Sequence, residues 1–118
     1  MLDISFYATE GQSIHHVEVA ENFLEWLARS DFAKIGEDKV ITVSIDGEEI
    51  DLSLVKLGKR TRYKLIAFFN SAIVDETKIL LERVREYLAQ PERAYRLRKL
   101  IEILDCLKDE NYQYLRRI

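Results

Sequence analysis

The stretch "VITVSIDGEEIDLSLV", residues 40–55, decides the fold class. Apolar and polar residues alternate on both sides of Asp46-Gly47, the period of a half-buried strand. A two-residue turn needs positive φ at its central positions, which Gly and Asp tolerate best. Such a turn sets Ile45 against Glu48, Val43 against Ile50 and Ile41 against Leu52, mostly apolar pairs sharing one sheet face. Ser44 then meets Glu49, Thr42 meets Asp51 and Val40 meets Ser53 on the other face. Turn chemistry and patterning agree on a β-hairpin.

Working outward, "LDISFYA" at residues 2–8 alternates in the same way and reads as a strand. Ser13 is the expected N-cap of a helix over "IHHVEVAENFLEWLA", where Ile14, Val17, Ala20, Leu24 and Leu27 recur at helical spacing. Val19, Phe23 and Trp26 widen its apolar face. Downstream of the hairpin, residues 59–89 read as helix, with the stripe Ile66, Phe69, Ile73, Thr77, Leu80, Val84 and Leu88. Asn70-Ser71 and Asp75 are candidate break points within it. Gln90-Pro91 opens the next helix, proline being welcome at a first helical position. That helix carries Leu97, Leu100, Ile101, Leu104 and Leu107, and "YQYLRRI" is expected to add a final helical turn or two.

The element order is therefore β-α-β-β-α-α, and its economical packing is α+β: a small antiparallel or mixed sheet with three or more helices on one face. The row Thr42, Glu49, Asp51 and Ser53 is expected to mark a wet sheet face, and an outer hairpin strand an unprotected edge.

A length of 118 residues fits one domain, 1–118, able to bury a core without staples. The single cysteine, Cys106, excludes an internal disulfide and suits a reducing cytoplasm. The N-terminus shows neither a signal peptide nor an apolar run long enough to span a bilayer, so a cytoplasmic protein is expected. The net charge of −3 is unevenly spread: residues 1–55 hold twelve acids against three bases, residues 56–118 nine acids against fifteen bases. Halves of −9 and +6 either attract one another on folding or present opposite faces to partners.

No sequence motif points to chemistry. His15 and His16 are adjacent and would diverge on a helix, and no zinc-ligand spacing occurs. Cys106 lies near an apolar stripe with no activating base. Four scattered glycines make neither a dinucleotide fingerprint nor a P-loop. No cofactor and no metal are expected, and the chain reads as a non-catalytic protein.

Three groups remain as partner-binding candidates. The acids Glu48, Glu49 and Asp51 form an acidic face. Within the basic strip "KLGKRTRYK" at 56–64, Lys59, Arg60 and Arg62 fall in the first turns of a helix, where the dipole disfavours cations and a compensating anion is expected. The hairpin's own acids or an external phosphate or carboxylate could supply it. Tyr112, Tyr114, Arg116 and Arg117 are residue types enriched at interfaces.

The reading that follows is a protein–protein interaction or inhibitor module whose acidic face meets a basic protein surface, a toxin domain or a regulated enzyme. Small immunity and antitoxin proteins share this profile as a type. A nucleic-acid-binding regulator using the 56–64 strip ranks second, because the pI is near 5.5 and no groove-reading motif occurs. A small enzyme with a site hidden from sequence ranks third. A homodimer through a hairpin edge or the C-terminal helix is a further expectation; no membrane partner is.

Overall fold

The structure, a computed structural model, describes residues 2–8 and 14–117. Ser13, the expected helix cap, lies outside these residues. Two strands come first, β1 (Leu2–Ala8) and β2 (Ile14–Val19), then α1 (Glu21–Arg29) and a 3-10 turn over Asp31–Lys34. The hairpin follows as β3 (Asp38–Ile45) and β4 (Glu48–Lys56). Helices α2 (Lys59–Glu82), α3 (Val84–Leu88) and α4 (Pro91–Lys108) lead to a last strand, β5 (Tyr112–Arg116). The fold is α+β: a five-stranded antiparallel sheet ordered β2-β1-β5-β4-β3, with four α-helices.

The hairpin register is the one the turn dictates: Ile45 opposes Glu48, Val43 opposes Ile50, and Ile41 opposes Leu52. Asp46 and Gly47 sit at φ 52° and 82°, the left-handed pair a type I′ turn requires.

Two elements differ from the sequence reading. Residues 14–19 are strand, not the start of a helix. They pair with β1 through Ile4–Val17 and Leu2–Val19, which bury both valines in the core. Helix α1 begins only after Ala20, whose amide donates to the Tyr95 hydroxyl at 2.9 Å. Residues 112–116 are also strand rather than helix. They fill the gap between β1 and β4, with Leu115 facing Phe6 on one side and Val55 on the other. There is accordingly no C-terminal helix at residues 112–116 to serve as a dimer surface. Helix α2 runs unbroken through Asn70-Ser71 and Asp75 and stops at Arg83 instead, which leaves helical geometry at φ −137°, ψ 52°.

Side chains alternate between two apolar groups, interrupted at the register shift where Ala8 pairs with Tyr112. Ile4, Phe6, Val17, Val19, Val55 and Leu115 face the helices, meeting Phe23 and Leu27 of α1, Leu65 and Phe69 of α2, and Leu100, Ile103 and Leu107 of α4. Neighbouring positions point the other way. Tyr7, Val43 and Leu54, with Ile14, Ile41, Ile45, Leu52 and Tyr114, form a second cluster to which no helix contributes among the described residues. The polar row of Thr42, Glu49, Asp51 and Ser53 is thus on the helix side of the sheet; the first three are exposed, and Ser53 is half-buried. No helix among the described residues is long and apolar enough to cross a membrane.

Candidate functional site

Among the described residues, hairpin β3–β4 joins the sheet only at its base, where Val55 and Lys56 pair with Leu115 and Tyr114. Beyond that base it projects with three distinct surfaces. Its outer strand is the last of the sheet, so alternate backbone groups at Val40, Thr42 and Ser44 face outward with no neighbouring strand among the described residues. Its apolar row is only partly covered: Val43 and Leu54 are buried, Ile41, Ile45 and Leu52 half-buried, and Ile50 exposed. Around the tip, residues 40–55 carry Asp46, Glu48, Glu49 and Asp51 and no base at all, a local charge of −4. All four acids are exposed. Asp51 accepts from the Thr42 hydroxyl across the strand pair, which fixes its orientation; Asp46, Glu48 and Glu49 form no ion pair among the described residues.

The basic strip is divided by the fold. Arg62 turns inward, its guanidinium donating to the carbonyls of Leu107 (2.6 Å), Asp109 (3.1 Å), Leu57 (3.4 Å) and Tyr112. In place of an anion this cation meets backbone carbonyl dipoles, those of Leu107 and Asp109 at the negative end of α4 together with those of Leu57 and Tyr112. Burial lowers the Arg62 pKa from its ordinary value, while Glu110 and Asp109 act to raise it. Lys56, Lys59, Arg60 and Lys64 remain exposed, and none forms an ion pair with a hairpin acid among the described residues.

The C-terminal candidates also separate. Tyr112 turns to the core side, its ring 5.9 Å from that of Phe6 and 6.4 Å from His15. Tyr114 is half-buried in the second apolar cluster, beside the hairpin row, and Arg116 is exposed. Arg117 is 8% exposed and donates to the carbonyls of Phe32 (2.6 Å), Ile35 (2.5 Å) and Gly36 (3.3 Å) and to the Asp38 carboxylate (3.1 Å). It ties the end of the chain to the start of the hairpin.

Because residues 14–19 are strand, His15 and His16 point to opposite faces: His15 toward Tyr112, His16 to the Ser5 hydroxyl at 2.7 Å. No group of three His, Cys, Asp or Glu able to hold a metal ion occurs among the described residues. Cys106 is buried, and desolvation by burial, with the charges of Glu102, Asp105 and Asp109, pushes its thiol up to about 11. At neutral pH it is a protonated, inert thiol.

One constellation escaped the sequence reading. Trp26, Asp31, Phe68, Asp75, Glu76 and Arg96 line a cleft of about 300 Å³ between α1, the 3-10 turn, α2 and α4. Glu76 lies on the apolar face of α2, seven residues after Phe69 and three after Ile73, so helical spacing was the signal that could have found it.

Comparison with known protein families, curated proteins and solved structures finds no match.

Proposed function

We propose that the chain is a protein-binding module whose projecting β3–β4 hairpin docks onto a partner with a basic, partly apolar surface. The observation that carries this reading is the hairpin's composition in space. Its distal part, residues 40–55, has four exposed acids without a base, and among the described residues no helix covers its row of aliphatic side chains and no strand pairs with its outer edge. Each surface supplies a different component of recognition. The acids steer a basic partner and accelerate encounter. The aliphatic row gives apolar burial, about 25 cal/mol per Å² removed from water. The open edge of β3 offers main-chain hydrogen bonds to an added strand. Toxin domains and regulated enzymes with basic surfaces are the kind of partner this chemistry fits, with inhibition following if the hairpin covers the partner's working face.

The exposed cations Lys56, Lys59, Arg60 and Lys64 define the competing outcome, binding to a phosphate backbone. On the hairpin reading, salt slows association with the partner, Glu49→Lys with Asp51→Lys weakens it, and Lys59→Ala with Arg60→Ala leaves it unchanged. A gel-shift titration at physiological salt tests the opposite. Tight, salt-steep binding to DNA or RNA that requires Lys59 and Arg60 overturns the proposal.

A further inference from the structure

Helix α2 is apolar on two sides. Leu65 and Phe69 are buried in the core, with Ile66 and Ile73 packed at its margin. On the opposite side Tyr63, Val74 and Leu81 are 74%, 50% and 74% exposed. They stand about three and about two turns apart, so with the exposed Ala67 they make one row about 27 Å long down the helix. A helix apolar on more than one side is normally buried on more than one side, and here the second side is bare among the described residues.

Spacing and charge specify the occupant. Ala67, Val74 and Leu81 repeat every seven residues, and Tyr63, Asn70 and Thr77 fall between them at the three- and four-residue steps of a heptad seam. Such a seam is the surface one α-helix offers to another. Arg60, Lys64 and Lys78 lie three residues before Tyr63, Ala67 and Leu81, so they form a row alongside the seam. All three are exposed, and none forms an ion pair among the described residues. The exposed acids of α2, Asp75 and Glu82, stand one row further round. On the other flank Ile66 and Ile73 are apolar and already packed on the core. Flanking charges decide which helix a seam accepts. A second copy paired antiparallel would set the Lys64–Lys78 row against its own twin, and paired parallel would set it against Ile66 and Ile73. An acidic flank on a different helix meets neither obstacle.

We infer that the outer face of α2 is a docking site for an acidic amphipathic α-helix of another protein, whose apolar stripe lies along Tyr63, Val74 and Leu81 and whose carboxylates meet Lys64 and Lys78. The site shares no residue with the hairpin and does not depend on the hairpin reading.

The full chain is titrated, by fluorescence anisotropy at physiological salt, into a dye-labelled helical peptide of about four heptads with leucine at its seam positions and glutamate on both flanks. The glutamates keep the peptide from pairing with itself. A second peptide keeps the glutamates and carries serine at the seam. The account predicts saturable binding of the leucine peptide and none of the serine peptide. Leu81→Gln and Val74→Gln, both at exposed positions and so of little effect on Tm, each weaken binding by about fivefold or more. Lys64→Glu with Lys78→Glu weakens it by about tenfold or more, whereas the equal charge change Lys34→Glu with Lys108→Glu, also at exposed positions, leaves it within about twofold. Sedimentation equilibrium follows the free chain in parallel. No saturable binding of the leucine peptide, equal binding of the serine peptide, or binding undiminished by the Leu81 and Val74 changes or by the Lys64 and Lys78 pair overturns the inference. So does a dimer of the free chain that Leu81→Gln abolishes, which assigns the face to a second copy.

Discussion

Replacing Arg62 by methionine keeps an unbranched stem of similar length and removes the guanidinium that collects four carbonyls. Three of those contacts are good hydrogen bonds, to Leu107 (2.6 Å), Asp109 (3.1 Å) and Tyr112, and the fourth, to Leu57 at 3.4 Å, is weak. Hydrogen bonds to a charged donor contribute about 1.5–3 kcal/mol each when their partners stay dry. This site is only half-buried, and Asp109 is exposed, so water recovers part of the loss. The net cost is then about 3 kcal/mol, well above the roughly 0.5 kcal/mol of an ordinary surface change. For a chain of this size that lowers Tm by about 12 °C. The exposed neighbour change Arg60→Ala is the control and moves Tm little. Arg62→Lys recovers less than half, because one ammonium cannot serve carbonyls spread around a planar fork. Thermal unfolding followed by circular dichroism at low and high salt supplies the assay. The Arg62→Met deficit persists at high salt, since short hydrogen bonds are not screened as exposed charge pairs are. Equal stability of the Arg62→Met and Arg60→Ala proteins, or a deficit that vanishes with salt, refutes the assignment of Arg62 as a structural clamp.

Gly47→Val is expected to cost about 1–2 kcal/mol, because a β-branched residue resists the φ of 82° that the turn imposes; an unchanged Tm contradicts the turn geometry. Gly36→Ala costs more than Gly47→Ala, since Gly36 combines φ 75° with a Cβ position 2.7 Å from Val55 Cγ1 and 2.9 Å from Thr61 Cγ2, whereas nothing lies within 4 Å at Gly47; the order of the two Tm values checks this. Cys106 has its folded pKa raised from 9.0 to about 11, so its contribution to stability is complete below pH 9 and is lost as pH rises toward 11. Cys106→Ala should flatten the alkaline fall in stability, and a thiol reagent at pH 8 should label the native protein only as fast as it opens; rapid stoichiometric labelling contradicts the burial.

The hairpin was legible because two independent signals, turn residues and alternation, agree over sixteen consecutive positions. Strand 14–19 was not, although Val17, Glu18 and Val19 alternate. Ile14, Val17 and Ala20 also fit a helical period, and the deciding partner, Ile4, sits across a different strand. Strand β5 was hidden for a related reason. "YQYLR" becomes a strand by filling the slot between β1 and β4, a vacancy that exists only once the rest of the sheet is built. Arg62 and Arg117 read as interaction residues because backbone carbonyls, their actual partners, leave no trace in a sequence. Glu76 is the same problem in reverse: its spacing from Phe69 and Ile73 puts it on the buried face of α2, but its residue type reads as solvated, and its neighbour Arg96 lies on a different helix.

The central claim, that the β3–β4 hairpin is the working surface, is tested most directly by site-specific photo-cross-linking in the native host. A photoreactive amino acid replaces Thr42 or Ser44 on the open edge, and Lys78 or Arg60 on the helical side as controls; all four positions are exposed. The account predicts that the hairpin positions capture one protein with a basic surface, that capture weakens when Glu49→Lys and Asp51→Lys are added, and that the helical positions do not capture it. Capture of that protein from Lys78 or Arg60 alone, or cross-linking to nucleic acid from Arg60 with none from the hairpin, would contradict it.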